Sequence, residues 1–132
     1  MSSSQSNKRA YVAVVDDDQN ILDALDSILT VDGWQVRTYD SGESFLADLD
    51  GSPPDCLILD PHLTGINGAD VIQTCALRQI DFPVIGLTAR PDSPVAKKML
   101  DLGATAMFVK PVSFDRLSTQ IRAVTNDRED DQ

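Results

Sequence analysis

Five short apolar runs alternate with amphipathic stretches along the chain, and this alternation restricts the fold more than any other feature. The runs are YVAVV (11–15), WQVRTY (34–39), CLIL (56–59), PVIGL (83–87) and AMFV (106–109). Three of them are nearly continuous in apolar residues, as expected of strands covered on both faces of a parallel sheet. WQVRTY alternates instead and reads as an edge strand. Between the runs the apolar period lengthens to that of a helix. Ile21, Leu22, Leu25, Ile28 and Leu29 share one face of a first helix that stops near Gly33. Phe45, Leu46 and Leu49 mark a second, closed by GSPP, and Val71, Ile72 and Cys75 a third that follows Asn67-Gly68. Ser93-Pro94 reads as an N-cap with proline at the first helical position, opening a fourth helix that ends at Gly103. Lys97 and Lys98 make that helix the weakest in pattern. Ser113 caps a fifth, carried by Phe114, Leu117, Ile121 and Val124. A βα unit repeated five times requires right-handed crossovers and places helices on both faces of a parallel sheet, an α/β three-layer sandwich.

At 132 residues the chain is long enough for one domain with a buried core and no disulfides. The expected organisation is a segment without order over 1–9, a domain over 10–126 and an acidic tail over 127–132. Net charge is −10, which argues against nucleic acid or an anionic membrane as a partner. The ending DREDDQ supplies four acids and one arginine, −3 of that total, and reads as solvated. Cys56 and Cys75 have no metal-site spacing and read as buried free thiols in a reducing compartment. The start MSSSQSNKR lacks the apolar centre of a signal peptide, and no run reaches the length of a membrane span. A cytoplasmic location is expected.

Open parallel sheets bind ligands beyond the carboxyl ends of their strands. There the first run is followed by Asp16, Asp17 and Asp18, the third by Asp60, and the fourth ends in Thr88 and Ala89. The fifth delivers Lys110 and Pro111, and the second only Asp40 and Ser41. Taken singly, Asp18 suits a helix cap, Thr88 an ordinary strand end and Lys110 a solvated charge. Together they suit a cation and a phosphoryl group. Two carboxylates about 5 Å apart repel by about 3 kcal/mol at an effective dielectric near 20. An oxygen-only acidic cluster suits Mg²⁺, which needs few protein ligands and keeps waters. A carboxylate can attack phosphorus to form an acyl phosphate, and the protein then mainly positions and neutralises the transferring group. Asp60 stands alone on the central strand and is the candidate nucleophile. Asp16 and Asp17 are placed to hold the metal, with Lys110 and Thr88 on the phosphoryl oxygens.

The set VVDDD (14–18), LILD (57–60), GLTAR (86–90) and GATAMFVKPV (103–112) resembles the receiver domains of two-component response regulators, CheY-like domains, over about residues 10–125. YDSGESFL, PVIGLTA and KPV resemble most the receivers that precede helix-turn-helix transcription factors. The resemblance implies a flavodoxin-like (βα)5 fold with a five-stranded parallel sheet of order 2-1-3-4-5. It implies a phosphoacceptor at Asp60, metal-binding acids at Asp16 and Asp17, a switch hydroxyl at Thr88 and a phosphate-contacting lysine at Lys110. The backbone carbonyl of His62 would complete the protein ligands to Mg²⁺, and Lys110–Pro111 would be a cis bond, which X–Pro tolerates. A histidine kinase or phosphotransfer protein would be the donor. The fourth helix, fifth strand and fifth helix would form the surface for a homodimer or an output domain. Such a chain accepts a phosphoryl group and loses it slowly by autodephosphorylation, so it is not a turnover enzyme.

Several positions depart from that pattern and are expected to modulate the site. Receivers usually carry a short aliphatic residue after the acceptor and a proline four positions beyond it, where this chain has Pro61 and Thr64. Pro61 favours extended backbone at Asp60 and removes one N–H from the loop, which is expected to be reshaped. The His62 ring either stands half in solvent or overhangs the acyl phosphate. Met107 stands where receivers place tyrosine or phenylalanine, and Phe108 points to the opposite face by strand alternation. A thioether specifies a rotamer poorly. The alternative reading is a degenerate receiver that serves as a phosphorylation-independent interaction module. An aspartyl-phosphate phosphohydrolase would need a second aspartate two residues past the nucleophile, where His62 stands. A flavin site would need a phosphate loop after the first strand, which is absent from the sequence.

Overall fold

The apolar runs form one parallel sheet in the computed structural model, which describes residues 11–49 and 51–130 (127–130 by backbone alone). Strands β1 (Tyr11–Val15), β2 (Gln35–Tyr39), β3 (Cys56–Leu59), β4 (Val84–Thr88) and β5 (Ala106–Val109) lie side by side as β2-β1-β3-β4-β5. Helices α1 (Gln19–Val31), α2 (Gly42–Asp48), α3 (Gly68–Leu77) and α4 (Pro94–Asp101) provide the crossovers, and α5 (Phe114–Asp130) follows β5. This is the CheY-like flavodoxin fold, and β2 takes the edge that its alternation required. The expected segment over 1–9 lies outside the described residues, as do 131 and 132 of the acidic tail. Helical backbone continues to Asp130, into the stretch read as that tail.

The sheet separates two cores. Tyr11, Ala13, Val15, Leu57 and Leu59 pack against Phe45 and Leu46 of α2, Val71 and Cys75 of α3, and Met99 of α4. Val12, Val14, Ile58, Ile85 and Leu87 pack against Leu22, Leu25 and Leu29 of α1 and Leu117 and Ile121 of α5. Alternation along each strand produces this division, since successive side chains face opposite sides. Burying a leucine or phenylalanine of this kind stabilises the fold by about 1.5–3 kcal/mol. Ile28, expected on the apolar face of α1, is 39 % exposed because it lies at the border of that face. Both cysteines are buried. Among the described residues no helix is long and apolar enough to cross a membrane.

Caps set the helix limits. Asp18, Ser41, Asn67 and Ser93 each accept an N–H of the first turn of α1, α2, α3 and α4, satisfying donors that the helix cannot pair itself. Asn67 and Asp70 form a reciprocal capping box. Asp32, which ends α1, also reaches α5: it accepts from Ser118 Oγ at 3.0 Å, from Arg122 Nη2 at 2.9 Å and from the Trp34 indole N–H at 3.3 Å. The last helix is thereby clasped to the first at the amino edge of the sheet.

Candidate functional site

Strand register brings the predicted residues together. Val15 is level with Leu59, so the next residues, Asp16 and Asp60, leave adjacent strands side by side. Thr88 is level with Val109, which puts Lys110 one step beyond the end of β4. The chain is pinned there by backbone bonds, Asp60 N–H to the Val15 carbonyl at 3.1 Å and Lys110 N–H to the Thr88 carbonyl at 2.8 Å. Lys110–Pro111 is cis.

Lys110 Nζ bridges two carboxylates, donating to Asp16 Oδ2 at 2.8 Å and to Asp60 Oδ2 at 2.9 Å. Asp16 and Asp60 are 2 % and 7 % exposed, so these contacts lie in a medium where charge pairs are weakly screened. Burial raises the Asp16 carboxyl above its ordinary range. Its bonds with Lys110 and the Asp18 N–H pull it back, and the Asp60 charge adds to the rise. Burial alone would lower Lys110, but the bonds to Asp16 and Asp60 more than offset this and hold the ammonium charged. The remaining oxygens have partners too: Asp16 Oδ1 accepts the Asp18 N–H, and Asp60 Oδ1 the His62 N–H at 2.8 Å.

Asp17, exposed at the rim, joins Asp16 and Asp60 in offering oxygens that all lie within 4.8 Å of one another. When ionised, three carboxylates against one ammonium leave a surplus of two negative charges. A hard, oxygen-seeking divalent cation is the partner that such a donor set fits, and Mg²⁺, which keeps several waters, fits it with few protein ligands. Asp18 is not in the cluster: its side chain caps α1. Thr88 is fully buried, and its Oγ1 accepts the Arg90 N–H at 2.9 Å. Ala89 and Pro111 are exposed beside it and beyond Lys110.

The loop from Asp60 to Gly68 is held by bonds to both backbone and side chains. Pro61 is buried, and its carbonyl accepts the Gly68 N–H at 3.0 Å. Thr64 donates its N–H and its hydroxyl to Asp17 Oδ2, at 3.2 and 3.1 Å. A proline at 64 would lose both bonds. Gly65 has φ +87°, a left-handed turn that suits glycine, and Ile66 N–H reaches Glu43 Oε2 at 3.1 Å. Side chains from the turn after β1, from α2 and from α3 thus take up the loop's amides. The His62 ring is half-buried, with Nε2 2.9 Å from Ser93 Oγ, the cap of α4. The ring is therefore engaged with the start of α4. The sequence marked Ser93 only as a cap and did not mark Glu43, because partners 31 and 23 residues distant leave no periodic trace. Met107 packs with the α2–α3–α4 side of the sheet and Phe108 with the α1–α5 side, as strand alternation required.

Known proteins extend this picture. The family described as the response regulator receiver domain matches residues 12–122. The transcriptional regulatory protein FixJ of Bradyrhizobium diazoefficiens is 29 % identical over 121 residues, 92 % of this chain and 59 % of the relative. The chain spans about half the length of the curated relatives it matches. A CheY-like receiver domain protein from Methanospirillum hungatei superposes with a TM-score of 0.86 at 24 % identity, covering 95 % of this chain and all of that one. The response regulator TrrA of Thermotoga maritima, solved in complex with Mg²⁺ and BeF, gives 0.73 at 27 % identity over 86 % of this chain and 97 % of its own.

Proposed function

Because the chain belongs to the response regulator receiver domain family of two-component systems, we propose that it accepts a phosphoryl group on Asp60 from a histidine kinase or phosphotransfer protein. An Asp60 carboxylate oxygen attacks phosphorus, forming a P–O bond as the P–N bond of the donor phosphoimidazole breaks. The imidazole leaves with the electron pair and takes up a proton. The observation that carries this reading is Lys110 Nζ lying between Asp16 Oδ2 and Asp60 Oδ2. The ammonium is already in contact with the nucleophile and can turn to an equatorial phosphoryl oxygen as charge builds there. The Thr88 hydroxyl takes a second oxygen. Asp16, Asp17, Asp60 and the His62 carbonyl would hold Mg²⁺. When bound, the ion supplies positive charge that offsets the charge of the transferring group. The Mg²⁺–BeF complex of the T. maritima relative supports that assignment.

The acyl phosphate is then lost slowly to water, so the chain serves as a cytoplasmic phosphoacceptor and not as a turnover enzyme. Its signal is a change in a protein-interaction surface over α4, β5 and α5, read by a second copy or by an output domain. FixJ, a transcriptional regulatory protein, favours such an output. With a net charge of −10, the receiver itself is not the part that meets nucleic acid. Intact mass after incubation with Mg²⁺ and a small-molecule phosphodonor tests the reading. The wild type should gain one phosphoryl group and Asp60→Asn none. A wild type that gains nothing would leave the degenerate interaction module.

A further inference from the structure

Of the three carboxylates in the niche, two are fixed by the core of the site. Asp16 and Asp60 are buried, and both oxygens of each have a donor. Asp17 is exposed, and an exposed aspartate has several rotamers open to it. Its side chain is nonetheless held, because Thr64 N–H and Thr64 Oγ1–H both close on Oδ2 at 3.2 and 3.1 Å. Asp17 Oδ1 has no partner among the described residues. Thr64 is itself fixed within the loop: the left-handed turn at Gly65 follows it, then the bond from Ile66 N–H to Glu43.

We infer that Thr64 is a positioning residue for the cation, clamping Asp17 by one oxygen and leaving the other to the metal. The inference rests on the reading above that the niche holds Mg²⁺. A carboxylate already confined to one rotamer loses less freedom when the ion arrives. Partners that orient a metal ligand typically change metal affinity 10–100-fold when removed. Threonine suits the position because a single residue offers two donors, its N–H and its hydroxyl, that can converge on one oxygen. Proline would offer neither.

The test is Mg²⁺ titration by isothermal calorimetry into the whole chain, stripped with chelator, beside Thr64→Val, Thr64→Ser and Asp17→Asn. Valine keeps the shape and the N–H but removes the hydroxyl, and its Kd should rise about 10-fold. Serine restores the hydroxyl and should stay within about twofold of the wild type. In chelator, the melting temperatures of wild type, Thr64→Val and Thr64→Ser should coincide, which a merely structural role would not give. Unchanged affinity in Thr64→Val would overturn the clamp. Tighter binding would overturn it too, by showing that Thr64 competes with the ion for Asp17. If the wild type takes up no Mg²⁺, or Asp17→Asn binds it as well, the metal reading of the niche falls and the clamp falls with it.

Discussion

Met107 and Gly86 are partners across the β4–β5 ladder, and the thioether occupies the space a side chain at 86 would need. A Cβ there would collide with Met107 Sδ and Cε. Gly86→Ala should therefore force the flexible end of Met107 into another rotamer and destabilise the fold by about 0.5–1 kcal/mol. In a Met107→Ala background the same change should cost less than about 0.5 kcal/mol. Urea denaturation of the four proteins measures the coupling. The resemblance to receivers marked Met107 as unusual, and the period of a strand put Phe108 on the opposite face. The glycine beneath the methionine was not legible, because the pair exists only once β4 and β5 are in register. Thr64 and Asp17 are a similar case, a bond across 47 residues that depends on the turn at Gly65.

Helix α4 is short and buries only Ala96 and Met99, so its start depends on its cap. Ser93 Oγ accepts the Ala96 N–H at 3.1 Å and also meets His62 Nε2. His62 in turn donates its N–H to Asp60. The acceptor loop and the first turn of α4 are thus joined through one hydroxyl. Ser93→Ala removes both cap and tether and should destabilise by about 1–2 kcal/mol, whereas His62→Leu removes the tether alone and should cost less. Hydrogen exchange is the direct readout: amides 96 and 97 should exchange fastest in Ser93→Ala and at an intermediate rate in His62→Leu, with α3 unchanged. Equal exchange in His62→Leu and the wild type would show that the tether holds nothing. Here the cap was legible from Ser-Pro ahead of an amphipathic run, and the tether was not, since nothing in a loop histidine says which way its ring turns.

The molecule as a whole keeps its order by segregating apolar residues into two cores, and this explains how much of it could be read beforehand. Runs of hydrophobic residues fixed the strands, the 3.6-residue period fixed the helix faces, and strand ends located Asp16, Asp60, Thr88 and Lys110 at one rim. What periodicity cannot encode is the set of side-chain bonds between loops. One consequence of the first core concerns pH. Burial pushes the Cys75 thiol up to about 11 from 9.0, with Arg78 nearby pulling the other way. Below pH 9 the thiol is protonated in both the native and unfolded states. Between 9 and 11 only the unfolded chain releases the proton, so stability falls as pH rises. Over that window the wild type should lose about 2 kcal/mol more than Cys75→Ala, as read by urea denaturation at successive pH values; parallel curves would show that Cys75 does not titrate in this way.

The clasp at Asp32 has a separate practical value. The chain has a single tryptophan, and its indole N–H is bonded to the carboxylate that holds Ser118 and Arg122 of α5. Trp34 precedes β2, whereas Asp60 follows β3, so the fluorophore and the acceptor lie at opposite edges of a parallel sheet. The protein therefore carries an unlabelled optical reporter, bonded to the clasp that seats its last helix and set at the sheet edge opposite the acidic niche.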